Sequence, residues 1–148
     1  MSFRCEMKKM ILPNDILLGE ASDLLAKGVE VILMTKGNSM LPFIRGEKDS
    51  VKLRRMDKVS VCDVVLARID GRRYVLHRVI AIDGDNVTLM GDGNLKCTES
   101  CTLSDIVGTA VGIVRPSGKC VKVNNGKIWR MLRPFRRYIL AIYRRVFL

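Results

Sequence analysis

The chain has 148 residues, room for one ordinary domain and a short appendage. Apolar residues make up 48% and charged residues 28%, which excludes a disordered polyelectrolyte and permits a packed core. The net charge of +11 is unevenly placed: residues 1–105 hold 16 basic and 15 acidic groups, whereas residues 106–148 hold 10 basic and none acidic. Basic character therefore belongs to the tail. Five cysteines (Cys5, Cys62, Cys97, Cys101, Cys120) have no compact framework spacing, and reduced thiols are expected. Cys97 and Cys101 lie close in sequence, but with one histidine in the chain they make a poor zinc site. Glu6, Asp15, Glu20 and Asp23 interrupt the first thirty residues, so no signal-peptide apolar region is expected. No run reaches the ~18 uncharged apolar residues that span a bilayer. A cytoplasmic protein, peripheral at most on the inner membrane face, is the expectation.

Asn14-Asp15 opens a helix in which Leu17, Leu18, Ala21, Leu24 and Leu25 recur at helical spacing until Gly28. Val29–Thr35 is a β-rich apolar run, broken by Lys36-Gly37-Asn38. From Val51 the pattern is short strands and turns. Val59–Ile69 and Arg73–Ile82 flank Asp70-Gly71 and predict a hairpin. Val87–Met90 follows, Gly91-Asp92-Gly93-Asn94 is a loop, and Val107–Val114 and Cys120–Val123 are the last expected strands.

The tail returns to helical spacing. Ile128, Met131, Leu132, Phe135, Tyr138, Ile139, Ile142 and Val146 form the apolar set, with arginines (Arg130, Arg133, Arg136, Arg137, Arg144, Arg145) over much of the remainder. Pro134 is expected in the first turn of the main helix. Trp129, Tyr138 and Tyr143 suit a membrane interface, so attachment to an anionic lipid surface is one reading. A terminal helix packed on the β body with its arginines in water is another, and nucleic-acid or partner binding a third. The expected organisation is 1–28 as an N-terminal segment with a short helix, 29–124 as a mainly β domain, and 125–148 as a basic amphipathic helix.

Three segments carry chemistry: Gly37-Asn38-Ser39-Met40-Leu41-Pro42, Tyr74-Val75-Leu76-His77-Arg78-Val79-Ile80 and Met90-Gly91-Asp92-Gly93-Asn94. Singly each is weak, since such serines and aspartates ordinarily make turns and a lone strand histidine is ordinarily structural. Together they supply a nucleophile, a base and a carboxylate. A serine hydroxyl attacks a carbonyl only when a base removes its proton, and His77 is the one histidine available. A carboxylate on the far ring nitrogen fixes the tautomer and stabilises the imidazolium. Backbone N–H groups of the Gly37–Met40 turn are the oxyanion-hole candidates.

With Val61-Cys62-Asp63-Val64-Val65, these segments resemble, over residues 28–115, the boxes of the signal peptidase I / LexA-like serine peptidase superfamily. The Ser-Met-x-Pro and His-Arg-Val-Ile runs are the most specific parts. Bacterial-type members carry a lysine in the second box. His77 makes this chain similar to the archaeal and endoplasmic-reticulum type. The resemblance implies a LexA/signal-peptidase-like β fold, Ser39 as nucleophile, His77 as base, Asp92 as third member, and no metal or organic cofactor. The implied substrate is a leader or signal peptide, extended along a strand, and Val29–Thr35 could pair with it. Three features depart from the family pattern. Cys62 stands where glycine is usual, Glu99 is the nearest candidate for a second acidic residue, and the stretch before the Ser box holds only the short helix where an anchor is usual. Two rival readings remain. A LexA-like self-cleaving regulator would need a helix-turn-helix ahead of the domain, for which 28 residues are too few. A non-enzymatic binding module, held to membrane or nucleic acid by its tail, would be indifferent to loss of Ser39.

Overall fold

The computed structural model describes residues 15–37, 39–94, 96–124 and 126–147. The mainly β expectation holds. Helix α1 (Asp15–Ala26) precedes strands β1 (Val31–Met34), β2 (Ser50–Arg54), β3 (Val64–Ile69), β4 (Arg73–Asp83), β5 (Asn86–Met90), β6 (Glu99–Thr102), β7 (Ile106–Val114) and β8 (Cys120–Val121). The tail is α2 (Lys127–Met131), a 3-10 turn over Arg133–Phe135, and α3 (Arg136–Phe147). The strands form one curled antiparallel sheet in the order β1-β2-β7-β3-β4-β5-β6, with β8 pairing β7. Asn14, the expected start signal of α1, lies outside the described residues.

Local chemistry explains most boundaries. The β3–β4 hairpin turns at Asp70-Gly71, both with positive φ (54° and 66°) and closed by Arg72 N donating to the Ile69 carbonyl (3.1 Å); Ile69 pairs Arg73, so the loop is one residue longer than the tightest hairpin. β3 begins at Val64 rather than Val59, because Cys62 has φ 82° and Ser60 N donates to the Asp63 carboxylate (2.8 Å), a turn that delays pairing. β6 was not expected: Glu-Ser-Cys-Thr has no large apolar side chain to signal a strand, and pairing with β5 creates it.

The two faces of the sheet hold separate cores. Helix α1 places Leu18, Ala21 and Leu25 on one face, against Leu33, Val51, Leu53, Leu66, Leu76 and Ile113. The opposite, concave face collects Val65, Ala67, Ile69, Val75, Val79, Val87, Leu89 and Cys101. β3 lies between both cores and is buried at every position but Arg68. That is why it reads as a continuous apolar run.

The tail packs on the β body through one face, as the packed-helix reading expects, and leaves its other face exposed. Trp129 and Leu140 join Leu41 in a third cluster, with Phe43, Ile139 and Tyr143 against it. Trp129 was expected at a membrane interface and is instead buried, at 5% exposure. Arg136, expected among the solvated arginines, is buried too: its Nε donates to the Trp129 carbonyl (3.1 Å) and its guanidinium lies over the indole. Pro134 sits in the 3-10 turn just ahead of α3, close to its expected place. No helix among the described residues is long and apolar enough to cross a membrane. The reduced-thiol expectation needs one correction: Cys97 is disulfide-bonded, while Cys62, Cys101 and Cys120 are free. Burial, aided by Asp105, pushes the Cys101 thiol up to about 11, which keeps it unreactive.

Candidate functional site

Ser39 lies in the loop between β1 and β2, and the base of that loop is clamped. Thr35 donates through its N–H (3.1 Å) and its hydroxyl (2.7 Å) to the Asp49 carbonyl. The buried Asp49 carboxylate accepts from the Arg45 amide (2.8 Å), the Arg45 guanidinium (3.2 and 3.1 Å) and Arg115 Nη1 (2.7 Å). Burial acts to raise the Asp49 carboxyl, but the Arg45 bonds and the Arg115 charge outweigh it and hold the group below its ordinary value. Sequence reasoning gave Arg45, Asp49 and Arg115 no role: Arg45 and Asp49 are four positions apart and read as an ordinary surface pair, and Arg115 lies 66 positions from Asp49. Asp49→Asn is expected to lower stability by about 1–3 kcal/mol, read as a drop in thermal midpoint. The carboxylate's contribution is present above its unfolded value near 4 and fades as pH falls through the lower folded one. The difference between wild type and variant should therefore shrink in acid.

The loop after β5 abuts Ser39 directly. Gly93 N donates to the Ser39 carbonyl at 2.6 Å, and the Asp92 amide points at the Met40 sulfur (3.4 Å). A Cβ on Gly91 would overlap the Ser39 carbonyl oxygen and stand 3.0 Å from the Asn94 side-chain nitrogen, so only glycine permits this approach. Gly91→Ala is accordingly expected to push the Ser39 loop outward, with a loss of stability of about 1–3 kcal/mol visible in a urea melt.

Met90 pairs with Arg78, so Gly91 continues β5 alongside His77 on β4. Ser39 thus packs through its backbone on the residue opposite His77, and no hydrogen bond joins Ser39 Oγ to either His77 ring nitrogen. Both are buried (0% and 1% exposed). Ser39 Oγ and both His77 ring nitrogens lack a hydrogen-bond partner among the described residues. Burial, and secondarily the charge of Arg73, pushes His77 down to about 4, so its imidazole is neutral at pH 7. Solvent does not reach the Ser39 hydroxyl, and a peptide can reach it only by displacing part of the surrounding chain.

Alternation along β4 sends Arg73, Val75 and His77 to the concave face and Tyr74, Leu76 and Arg78 to the other. Asp92 follows Arg78. Arg78 Nε and Nη2 hold the two Asp92 oxygens at 2.8 and 2.7 Å, and Arg78 Nη1 donates to the carbonyls of Cys62 (2.8 Å) and Asn124 (2.6 Å). Burial raises the Asp92 carboxyl above its ordinary value, opposed by the Arg78 guanidinium. Both Asp92 oxygens are thus engaged by Arg78, and no hydrogen bond among the described residues joins Asp92 to His77. Trp129 Nε1 donates to the Asp92 carbonyl (2.9 Å), tying the tail to this loop.

Glu99 occupies the concave face. It shares a side of β6 with Cys101 and meets Arg73 Nη2 at 2.8 Å, while its Oε1 has no partner among the described residues. Asn94 Oδ1 is another buried unpartnered acceptor. A surface depression of about 660 Å³, lined by Ile69, Asp70, Lys96, Thr98, Glu99 and Ser100, opens at this end of the face. Asn38, part of the expected oxyanion turn, lies outside the described residues. Among the described residues no three His, Cys, Asp or Glu side chains converge as metal ligands.

Comparison with known proteins adds no assignment: no family model matches the chain, and no curated protein matches it.

Proposed function

We propose that this protein is a serine endopeptidase of the signal-peptidase type, with Ser39 as nucleophile and His77 as general base. The observation that carries the reading is the unpartnered state of Ser39 Oγ and both His77 nitrogens. Buried polar groups left without partners lower stability by about 1–3 kcal/mol each, and a hydroxyl and an imidazole both left open in this way support a reactive role for them. His77, neutral at pH 7, takes the serine proton as Ser39 Oγ attacks the peptide carbonyl. The imidazolium then protonates the leaving amine, and water, activated by the same ring, hydrolyses the acyl-enzyme.

The carboxylate that serves His77 is Glu99 in this reading, because it shares the concave face and has an open oxygen, whereas Asp92 is committed to Arg78 and acts as a positioning group. Glu99→Gln is expected to lower kcat by about 10²–10⁴-fold, as loss of an orienting carboxylate does elsewhere, with the fold intact by circular dichroism. Asp92→Asn should instead act mainly on stability. The reverse pattern would exchange the two roles.

The substrate strand has a place to lie. β1 forms one edge of the sheet and leads straight into the Ser39 loop. Thr35 N bonds Asp49 O, which puts the bonded pairs at Thr35, Leu33 and Val31 and turns the Ile32 and Met34 amides towards the free edge. Met34→Pro removes one such amide without breaking the β1–β2 ladder. It should raise KM for a peptide substrate with little change in thermal midpoint.

The deciding experiment is N-terminal mass-spectrometric profiling of cells producing wild type against cells producing Ser39→Ala. New N-termini present only with wild type establish proteolysis and reveal whether leaders or exported preproteins are cut. Identical profiles from folded, abundant protein would remove the peptidase reading and favour a binding module.

A further inference from the structure

One face of α3 is packed and another is not. Arg136 and Leu140 are buried and Ile139 and Tyr143 half-buried, so the packed arc is satisfied by Leu41, Phe43 and Trp129. Tyr138, Ile142 and Val146 are 59%, 64% and 67% exposed. Their i, i+4, i+8 spacing lines them up on one side of the helix. Phe135 (59%), in the 3-10 turn, and Met131 (80%), at the end of α2, are exposed as well. Arg130, Arg137, Arg144 and Arg145 are exposed around this apolar strip, and residues 106–148 contain no acidic side chain.

We infer that this strip docks the protein on an anionic bilayer surface. Tyr138, Ile142, Val146 and Phe135 enter the headgroup–acyl boundary, and the flanking arginines meet lipid phosphates. Large side chains left this exposed on one helix face need an apolar medium, and their basic flanks need an anionic one. An anionic lipid surface supplies both. A nucleic acid would satisfy the arginines and leave the apolar strip in water. A second copy would bring two tails of the same strong positive charge together. Two ties hold the docked helix to the body: Arg136 Nε bonds the Trp129 carbonyl, and Trp129 Nε1 bonds the Asp92 carbonyl. The Ser39–His77 region would therefore be carried at a fixed height above the membrane.

The docking inference does not rest on the peptidase reading, and its test needs no hydrolysis. Full-length protein is spun with vesicles of pure phosphatidylcholine and of phosphatidylcholine with 30% phosphatidylglycerol by design. Binding is expected to the anionic vesicles, weakened by salt, and much less to the neutral ones. Ile142→Asp should reduce that binding by about tenfold or more, with circular dichroism and thermal midpoint as in wild type. Ile142→Ser and the pair Arg144→Gln/Arg145→Gln, milder changes at exposed positions, should each reduce it too, so a folding failure of the aspartate variant leaves the test intact. Absence of binding to anionic vesicles would overturn the inference, as would binding that all three variants retain. So would a concentration-dependent dimer in sedimentation velocity that Ile142→Asp dissolves without any vesicle binding. Retention on a DNA duplex in place of vesicles, unaffected by Ile142→Asp, would assign the tail to nucleic acid instead.

Discussion

On the proposed peptidase reading, replacing His77 with alanine is expected to lower kcat/KM by about 10⁴-fold or more, because a serine hydroxyl without its base is nearly inert and the remaining groups only bind and polarise. The pH profile makes this more specific. An ordinary histidine titrates near 6.5, but burial and the Arg73 charge push His77 down to about 4. The wild-type acid limb should therefore lie well below 6.5: activity persists as pH falls through the ordinary histidine range and is lost only on approach to 4. Stability follows the same proton. Between those two values the unfolded chain binds a proton that the folded chain refuses, so stability is full above about 6.5 and declines as pH falls towards 4. A His77→Asn chain should lack that part of the slope. Urea melts at pH 4.5 and 7.5 for the two proteins, beside a kcat/KM profile, measure both effects. An acid limb at 6.5 would mean that the His77 imidazole is hydrated in solution rather than buried.

Removal of Arg78 is the largest expected loss of stability. Its guanidinium is 2% exposed and makes four hydrogen bonds, two to Asp92 and one each to the carbonyls of Cys62 and Asn124. Arg78→Ala leaves a buried carboxylate and two carbonyls without donors, expected to lower stability by about 3–5 kcal/mol, which for a chain of this size is on the order of 10 °C in thermal midpoint. Arg78→Lys should rescue little, since one ammonium cannot span the fork to Asp92 and both carbonyls. Arg78→Met with Asp92→Leu should recover part of the loss, because an apolar pair leaves no uncompensated charge. A double-mutant cycle over Arg78 and Asp92 separates the pair energy from the backbone contacts. The same variant loosens the tail, since Arg78 reaches the Asn124 carbonyl just ahead of α2.

Much of the scaffold was legible from residue order. Helix α1, the Asp70-Gly71 hairpin, the strands around His77 and the break at Gly91–Asn94 all follow from apolar spacing and turn chemistry, which are local. β6 was not legible, because Ser100 and Thr102 alternate with Glu99 and Cys101 and become a strand only beside β5. The tail was half legible. Its periodicity announced a helix, yet nothing in it distinguished Trp129 and Arg136, which are buried, from Tyr138 and Arg137, which are not. That difference depends on Leu41 and Phe43, some ninety residues away in the chain.

Within the candidate site, Ser39, His77 and Asp92 stand out by residue type and surroundings, and sequence can go that far. Which carboxylate faces which base is decided by the side of a strand each group leaves from. Arg78, one position from His77, points to the opposite face and takes Asp92 with it. Glu99, seven residues beyond Asp92, shares the concave face with Arg73 and His77 because β6 pairs β5 in the register that sets Glu99 against Leu89. The sequence by itself determined most of the elements, their order and the candidate side chains, since hydrogen bonding and apolar periodicity act over a few residues. Only the tertiary structure decided the polar pairings, the closing of the Ser39 loop and the exposed side of the last helix, since those depend on strand register and sheet curvature summed over the whole domain.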